Sequence, residues 1–527
     1  MNISVPVAFV LLMIVTSLVA MVARRWDFPY TVALVLVGLL LSAVRERLLP
    51  GFDIGLHLTA DLLFTVFLPV LIFEAAFHFN LRDFLDNWKA IFTLAAPGLV
   101  VAVVLAGALV YWIGKMLGFA LPFGGALLVA SMLSATDPVA VISLMREVGA
   151  PHRLSVLMEG ESLVNDGVAV VVFGVVLGLL GLDPAVSEVG PVYVLRFLGW
   201  ELLGAVLIGG AVGAAVSWVT ARVDDHLIEI TLTTVAAYAS FLFADKVHAS
   251  GVLACLVAGM LTGNFGAMYG MSATTRVAVG TFWEYLAFLA NSFVFLLMGL
   301  EIVPSRLLVN APVILLVWLA LLASRAVLMG SALPLVEKLE GKLPRWSAAA
   351  LTWGGLRGGI AMVLALSIPR GWPFRSLAMD IVFGTCLLTI VVQGVSMRKL
   401  LGWAGLSKDR LGVRAVEEIR GRLRAIQAAL RHLAHQRETG TVDEEMYGQL
   451  HSELTEELKQ IEAQRAETKD IEQQVREQEL LEHRRQLLLV RKAALRDAMV
   501  DGQIGEKVAR RLIGQVDEQL HKLHRSP

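Results

Sequence analysis

Two neighbouring stretches decide how this chain is read: LPFGGALLVASMLSATDPVAVISLM (residues 121–145) and LSVLMEGESLVNDGVAVVVFGVVLGLL (residues 154–180). Each is long enough to cross a bilayer core about 30 Å thick, which takes roughly 20 mostly apolar helical residues. Each also carries carboxylates well inside its apolar run. An ionisable side chain at the centre of a membrane helix costs about 2.5–3.5 kcal/mol on insertion scales, so it is retained for a purpose. The pair therefore points to membrane helices built around a polar centre.

The rest of the chain agrees. Of 527 residues, 56% are hydrophobic and 17% charged, with a mean hydropathy of +0.68. Soluble globular proteins carry about 25% charged residues, so a water-soluble enzyme and a disordered scaffold are both excluded. Thirteen apolar segments precede residue 404, at 5–23, 29–44, 60–79, 88–113, 121–145, 154–180, 192–219, 227–244, 249–263, 280–301, 309–335, 345–368 and 376–401. The second and ninth are short, which leaves twelve to fourteen crossings open. The first has no basic residue before its apolar run and reads as a span, not a cleaved leader. Of the 91 charged residues, 44 fall in residues 407–527, 22 of each sign. The expected division is a membrane domain, 1–404, and a charge-rich helical tail, 405–527.

Lys and Arg are enriched in cytoplasmic loops. With an odd number of spans and the tail inside, the inner loops hold Arg24, Arg25, Arg82, Lys89, Arg146, Arg153, Arg222, Arg276, Lys338, Lys342 and Arg345. This predicts an outside N-terminus and a cytoplasmic tail. In the tail, Val416, Ile419, Leu423, Ile426, Leu430 and Leu433 recur at spacings of three and four, the seam of a helix that packs on another. Thr441 and Glu444 fit a capping box at the start of a second helix. Asp501-Gly502 marks its end, and a third helix carries Val508, Leu512, Val516 and Leu520. Residues 440–458 also align weakly with 502–520. The near-zero net charge gives no electrostatic footprint for nucleic acid. Cys255 and Cys386 lie in apolar runs, as buried thiols do.

Four places in the membrane domain carry polar chemistry. Glu74 sits in LPVLIFEAAFHFNLRDF (68–84), one turn before His78. Thr136, Asp137 and Pro138 interrupt the fifth segment, where proline removes a backbone donor. Carbonyls near Leu133 and Ser134 thereby lose helical partners, and free carbonyls beside a carboxylate suit a hard cation. In the sixth segment Ser162 and Asp166 share one face at i, i+4, while Glu161 and Asn165 share the next; Glu159 lies nearer the helix end. In the twelfth, Arg357 lies between Gly354-Gly355 and Gly358-Gly359. A buried guanidinium needs an anionic partner, and Glu161 is the expected one. Arg325, in LLASRAVLMG, is a rival cation or a packing residue. No metalloprotease helix, phosphate-binding loop, Cys/His cluster or serine-hydrolase arrangement occurs, so no enzyme is expected.

The motifs FEAAFHFNLRDF (73–84), SATDPVAVISL (134–144), GESLVNDGVAVVVF (160–173), GGLRGGIAM (354–362) and VVQG (391–394) together resemble the sodium/proton exchangers of the cation:proton antiporter superfamily, in the branch with an Asn-Asp pair and of bacterial type. The resemblance implies an all-α polytopic membrane protein of about thirteen transmembrane helices with inverted repeats and two unwound crossing helices, plus the helical cytoplasmic tail. It implies a homodimer in the cell membrane, with a core domain that moves as an elevator. By motif position Asp166 is the ion-binding carboxylate, with Asp137, Ser162, Glu74 and the Thr136 backbone around it. Asn165 is a structural neighbour, and Glu161 with Arg357 is a buried pair. In that family an Asn-Asp pair with such an arginine accompanies electroneutral exchange. The repeat partner of the fifth segment lies either at Gly354–Gly359 or in the thirteenth segment.

The chemistry can be reasoned beside the resemblance. Burial disfavours the charged form of a carboxylate and a cation favours it, so proton and Na⁺ compete for one site. The expected function is Na⁺/H⁺ exchange, with Li⁺ or K⁺ as other cargo and no cofactor beyond the transported ions. The expected partners are the lipid bilayer, a second copy, and regulatory contacts through the tail. A K⁺/H⁺ antiporter, a cation channel and a membrane sensor signalling through its tail are the alternatives.

Overall fold

The computed structural model describes residues 5–26, 28–48, 59–116, 118, 121–137, 139–182, 191–223, 225–267, 270–406, 410–439, 441–467 and 503–525, with scattered positions from 473 to 499. The chain forms two compact units, Met1–Ser407 and Lys408–Pro527. Regular structure among the described residues is entirely helical.

The first unit contains α1 (Val5–Arg25), α2 (Tyr30–Leu48), α3 (Ala60–His78), α4 (Trp88–Met116), α5 (Phe123–Met132), α6 (Val139–Glu147), α7 (His152–Leu179), α8 (Pro191–Thr220), α9 (His226–Lys246), α10 (Gly251–Gly266), α11 (Ala273–Glu301), α12 (Ala311–Glu340), α13 (Ser347–Trp353), α14 (Gly359–Leu366) and α15 (Arg375–Trp403). These account for all thirteen apolar segments, because the fifth is split into α5 and α6 and the twelfth into α13 and α14. Among the described residues nine helices are long and apolar enough to cross a membrane: α1, α3, α4, α7, α8, α9, α11, α12 and α15. α2 runs past the expected Ala43–Val44 end, since its polar last turn finds partners. There Ser42 donates to the Ile302 carbonyl at 2.7 Å and Arg45 to the Leu300 carbonyl at 3.3 Å. α11 starts seven residues earlier than expected, at a Ser272 cap whose hydroxyl accepts from the Thr275 N–H.

The same three-part pattern occurs twice: a long helix, a broken helix and another long helix, as α4, α5–α6, α7 and again as α12, α13–α14, α15. Seven segments separate the start of one triplet from the start of the other. An odd number of crossings reverses direction, so the repeats are inverted, as in other transporters built this way. α4, α5, α6, α7, α12, α13, α14 and α15 pack mainly on one another. The remaining helices form a second group in which α2 lies on α11 and α10 lies on α3, α8 and α9. Within it the Phe73 and Trp283 rings lie 4.5 Å apart, tilted by 37°, and the Trp283 indole donates to Thr233 Oγ1. Short π-helical turns interrupt α3, α4, α10 and α15. The one in α4 contains Pro97, whose missing N–H a wider turn accommodates.

The second unit holds α16 (Arg410–Glu438), α17 (Glu444–Glu467) and α18 (Glu506–Arg525). α16 packs on α17 through Ile419, Leu423 and Ile426 against Ile461, with Leu430 and Leu458 at the margin. Ile419, Leu423, Ile426 and Leu430 are four of the six residues of the expected seam; Leu433 is buried outside this cluster, and the Val416 side chain lies outside the described residues. The expected Thr441 capping box does not form. α17 starts at Glu444, so Asp443 caps it by accepting from the Met446 N–H at 2.8 Å, and Glu444 pairs with Arg437. Asp501-Gly502 lies outside the described residues. α17 and α18 begin 62 residues apart, matching the offset of the weak repeat.

Candidate ion-binding site

The two helix breaks meet. After Met132 the chain leaves helical geometry, and it resumes at Val139; Pro138 lies outside the described residues. The Asp137 N–H donates to the Leu356 carbonyl in the other break at 2.8 Å. Gly358 permits this approach: a Cβ there would lie 2.5 Å from Asp137 Oδ2. The partner of the broken fifth segment is thus Gly354–Gly359, between α13 and α14. One Asp137 carboxylate oxygen accepts from the Val139 N–H at 3.1 Å and caps α6.

Beside the crossing, α7 presents the two faces expected from its spacing. Ser162 donates its hydroxyl to the Thr136 carbonyl. A hydroxyl that donates keeps its lone pairs, and a carbonyl accepts twice, so both oxygens still have capacity for a cation. On the adjoining face the Asn165 amide donates to Thr136 Oγ1 at 3.3 Å and lies 3.5 Å from Glu161 Oε1. Asn165 therefore ties α7 to the break.

The expected Glu161–Arg357 pair does not form. Glu161 instead receives a two-pronged guanidinium contact from Arg325, at 3.1 and 2.8 Å, and Arg325 also donates to the Leu351 carbonyl at 3.0 Å. The glycines beside Arg357 in sequence make room for Arg325 in space: a Cβ on Gly355 would lie 2.6 Å from Arg325 Nε. Arg357 donates to the Ser134 and Ala135 carbonyls at 2.7 and 3.2 Å, and its backbone N–H donates to Thr389 Oγ1. The carbonyls expected to face a cation near Ser134 are thus taken by a guanidinium at the negative end of α5. Arg325 was the residue whose role the sequence did not resolve; its only signal was a lone arginine deep in an apolar run.

A cavity of about 440 Å³ opens beside these groups, lined by Thr136, Asp137, Ser162 and Asp166, and farther along by Glu74, His78, Arg146, Glu159 and Glu284. Asp166 is half-buried and makes no hydrogen bond or ion pair with any described residue. Glu74 shares the cavity, but its carboxylate is engaged by His78 Nδ1 at 3.2 Å, while His78 Nε2 faces Glu284 at 3.8 Å. Glu159 pairs with Arg146 at 3.2 Å. Five of the eight site residues read from the sequence, Glu74, Thr136, Asp137, Ser162 and Asp166, line this cavity; Asn165 and Arg357 hydrogen-bond its lining residues Thr136 and Ala135, and Glu161 lies behind Asn165.

Residues 10–403 match the family model described as sodium/hydrogen exchanger, transmembrane. The chain belongs to this family. The Na⁺/H⁺ antiporter ApNhaP of Aphanothece halophytica is 37% identical over 461 residues, spanning 85% of each chain. The low-affinity Na⁺/H⁺ antiporter NhaS1 of a Synechocystis species is 38% identical over 392 residues, spanning 72% of this chain and 71% of that one. The solved structure of the sodium proton antiporter MjNhaP1 from Methanocaldococcus jannaschii superposes with a TM-score of 0.60 at 20% identity, over 74% of this chain and 96% of that one. The overall fold is therefore shared with that antiporter; in this chain the two broken helices meet at the Asp137–Leu356 contact.

Proposed function

We propose that this exchanger is a Na⁺/H⁺ antiporter of the bacterial plasma membrane, in which proton and cation compete for Asp166. The observation that carries the reading is the isolation of Asp166. Glu161 is paired with Arg325 and Glu159 with Arg146, Arg357 donates to the carbonyls just beyond α5, and Asp137 is partly committed to capping α6. Asp166 alone among these groups faces the cavity without a partner. A bare carboxylate carried through a low-dielectric interior costs several kcal/mol even after relaxation. The site therefore crosses only when Asp166 holds a proton or a cation, and alternation between the two is exchange. The relatives' activity supports Na⁺ as the cargo, and Thr136, Asp137, Ser162 and Glu74 supply the surrounding oxygens.

One proton or one monovalent cation on a single carboxylate makes the exchange electroneutral. The movement is of the elevator type: the group containing α4–α7 and α12–α15 slides against the rest, and the protein works as a homodimer with its N-terminus outside and its tail in the cytoplasm. In proteoliposomes, a Na⁺ pulse should release a pH gradient across the membrane in wild type. Asp166→Asn should abolish that response, and a set membrane potential should leave the wild-type rate unchanged. Undiminished exchange by Asp166→Asn refutes the assignment; a rate that follows the potential refutes electroneutrality.

A further inference from the structure

The cavity has a wall to which no ion-handling role has been given. α11 contributes Glu284, Asn291, Val294 and Phe295 to its lining. Glu284 and Asn291 are seven residues apart, so they lie on one face of the helix and about 10 Å apart along it. The rotation of α11 is fixed from its other side. Ser292 is fully buried, donates to the Phe288 carbonyl and hydrogen-bonds the Tyr30 hydroxyl at 2.7 Å, while Phe288 stacks on the Tyr30 ring at 5.3 Å. This turns Asn291, the next residue around the helix, into the cavity that also contains Asp137 and Asp166.

Asn291 sits in the middle of an apolar run, AFLANSFVFLLMGL (287–300). Its carboxamide carries two donors and an acceptor oxygen, yet it makes no hydrogen bond with any described residue. Asn291 is half-buried and its carboxamide opens onto the cavity, while the interhelical contact of this turn is made by Ser292. The carboxamide is therefore free to meet what the cavity holds, water or a ligand. A monovalent cation stripped of part of its hydration shell needs neutral oxygens as well as a carboxylate, and the number and field strength of those oxygens set which cation is preferred.

We propose that Asn291 is a specificity-determining residue, whose carboxamide oxygen receives the transported cation from the α11 wall, directly or through a water the ion retains, while Asp166 receives it from α7 and Asp137 from the crossing. The proposal rests on the exchange reading of the cavity and adds to it the source of cation preference. A neutral donor contributes to cation binding and not to proton binding, so its removal weakens the cation branch alone.

The test is a series of Li⁺, Na⁺ and K⁺ titrations at fixed pH in proteoliposomes containing wild type, Asn291→Leu, Asn291→Ala and Asn291→Ser. The expected result for leucine and alanine is a half-saturating Na⁺ concentration raised about tenfold or more, a maximal rate within about threefold of wild type, and an altered order or ratio among the three cations. Serine, which restores a shorter oxygen, should fall between. If leucine prevents insertion, alanine reads the same loss. Wild-type half-saturation and cation order in both alanine and serine overturn the proposal. So does a lower maximal rate with both unchanged, which marks a purely structural role. Absence of any cation-dependent proton movement in wild type refutes the exchange reading and the Asn291 role together, whereas active wild type with unaffected variants refutes only the latter.

Discussion

The replacement of the expected Glu161–Arg357 pair by Glu161–Arg325 can be tested by double-mutant cycles. Glu161 and Arg325 are 2% and 7% exposed. Removing one partner leaves the other charge buried and unpaired, which costs about 3–5 kcal/mol. Arg325→Met also loses the hydrogen bond to the Leu351 carbonyl, roughly another 1 kcal/mol. The double variant Glu161→Leu, Arg325→Met leaves neither charge, so it should be less destabilised than either single variant, which requires a coupling energy of at least about 3 kcal/mol. Arg357 makes no hydrogen bond to Glu161, and its described acceptors are the Ser134 and Ala135 carbonyls. The cycle of Glu161→Leu with Arg357→Met should therefore give a smaller coupling. Unfolding of the purified protein in mixed micelles, followed by tryptophan fluorescence, measures all five variants on one scale. A Glu161–Arg357 coupling equal to or above the Glu161–Arg325 coupling refutes the assignment, as do two single variants that unfold like wild type.

Two further outcomes follow from the same geometry. Gly358→Ala places a Cβ 2.5 Å from Asp137 Oδ2, and overpacking strain of about 1–3 kcal/mol at the crossing should slow exchange at least about fivefold while the protein still inserts; an unchanged rate removes the crossing from the mechanism. Deleting residues 408–527 should leave Na⁺-driven proton movement measurable in proteoliposomes, because every cavity residue belongs to the first unit. Complete loss in a correctly inserted truncation would move part of the function into the tail.

Much of this was legible in the sequence because a helix in a membrane is read one element at a time. Apolar length finds segments, and thirteen of them correspond to the helices seen. The i, i+4 spacing within α7 separates Ser162 and Asp166 from Glu161 and Asn165, and the structure keeps that separation: one face opens to the cavity, the other braces Thr136 and holds the ion pair. A break is legible where polar residues interrupt an apolar run, as at Thr136-Asp137 and at Gly354–Gly359. Asn291 left a weaker trace, a single carboxamide in an apolar helix, which spacing alone does not distinguish from an interhelical hydrogen bond.

Partner choice across helices has a different origin. Glu161 had two buried arginines within the fold's reach, and sequence adjacency favoured the wrong one, because the glycines that permit close approach flank Arg357. The decisive quantity is where a missing Cβ leaves space. Gly355 opens towards Arg325 of α12, and Gly358 opens towards Asp137 of the opposite break. Arg357, between them, is then directed to the carbonyl end of α5, where the partial negative charge of the helix terminus substitutes for a carboxylate. The arrangement separates two tasks that one Glu–Arg pair would have merged. Arg357 ties one broken helix to the other, so that both halves of the inverted repeat stay together. Arg325 balances the charge of Glu161, so that Asp166 of the same helix is left to the transported ion. If the coupling energies fall in that order, the two arginines have distinct roles, and the charge state of the site during transport is set by Asp166 against a background that Arg325 has already neutralised.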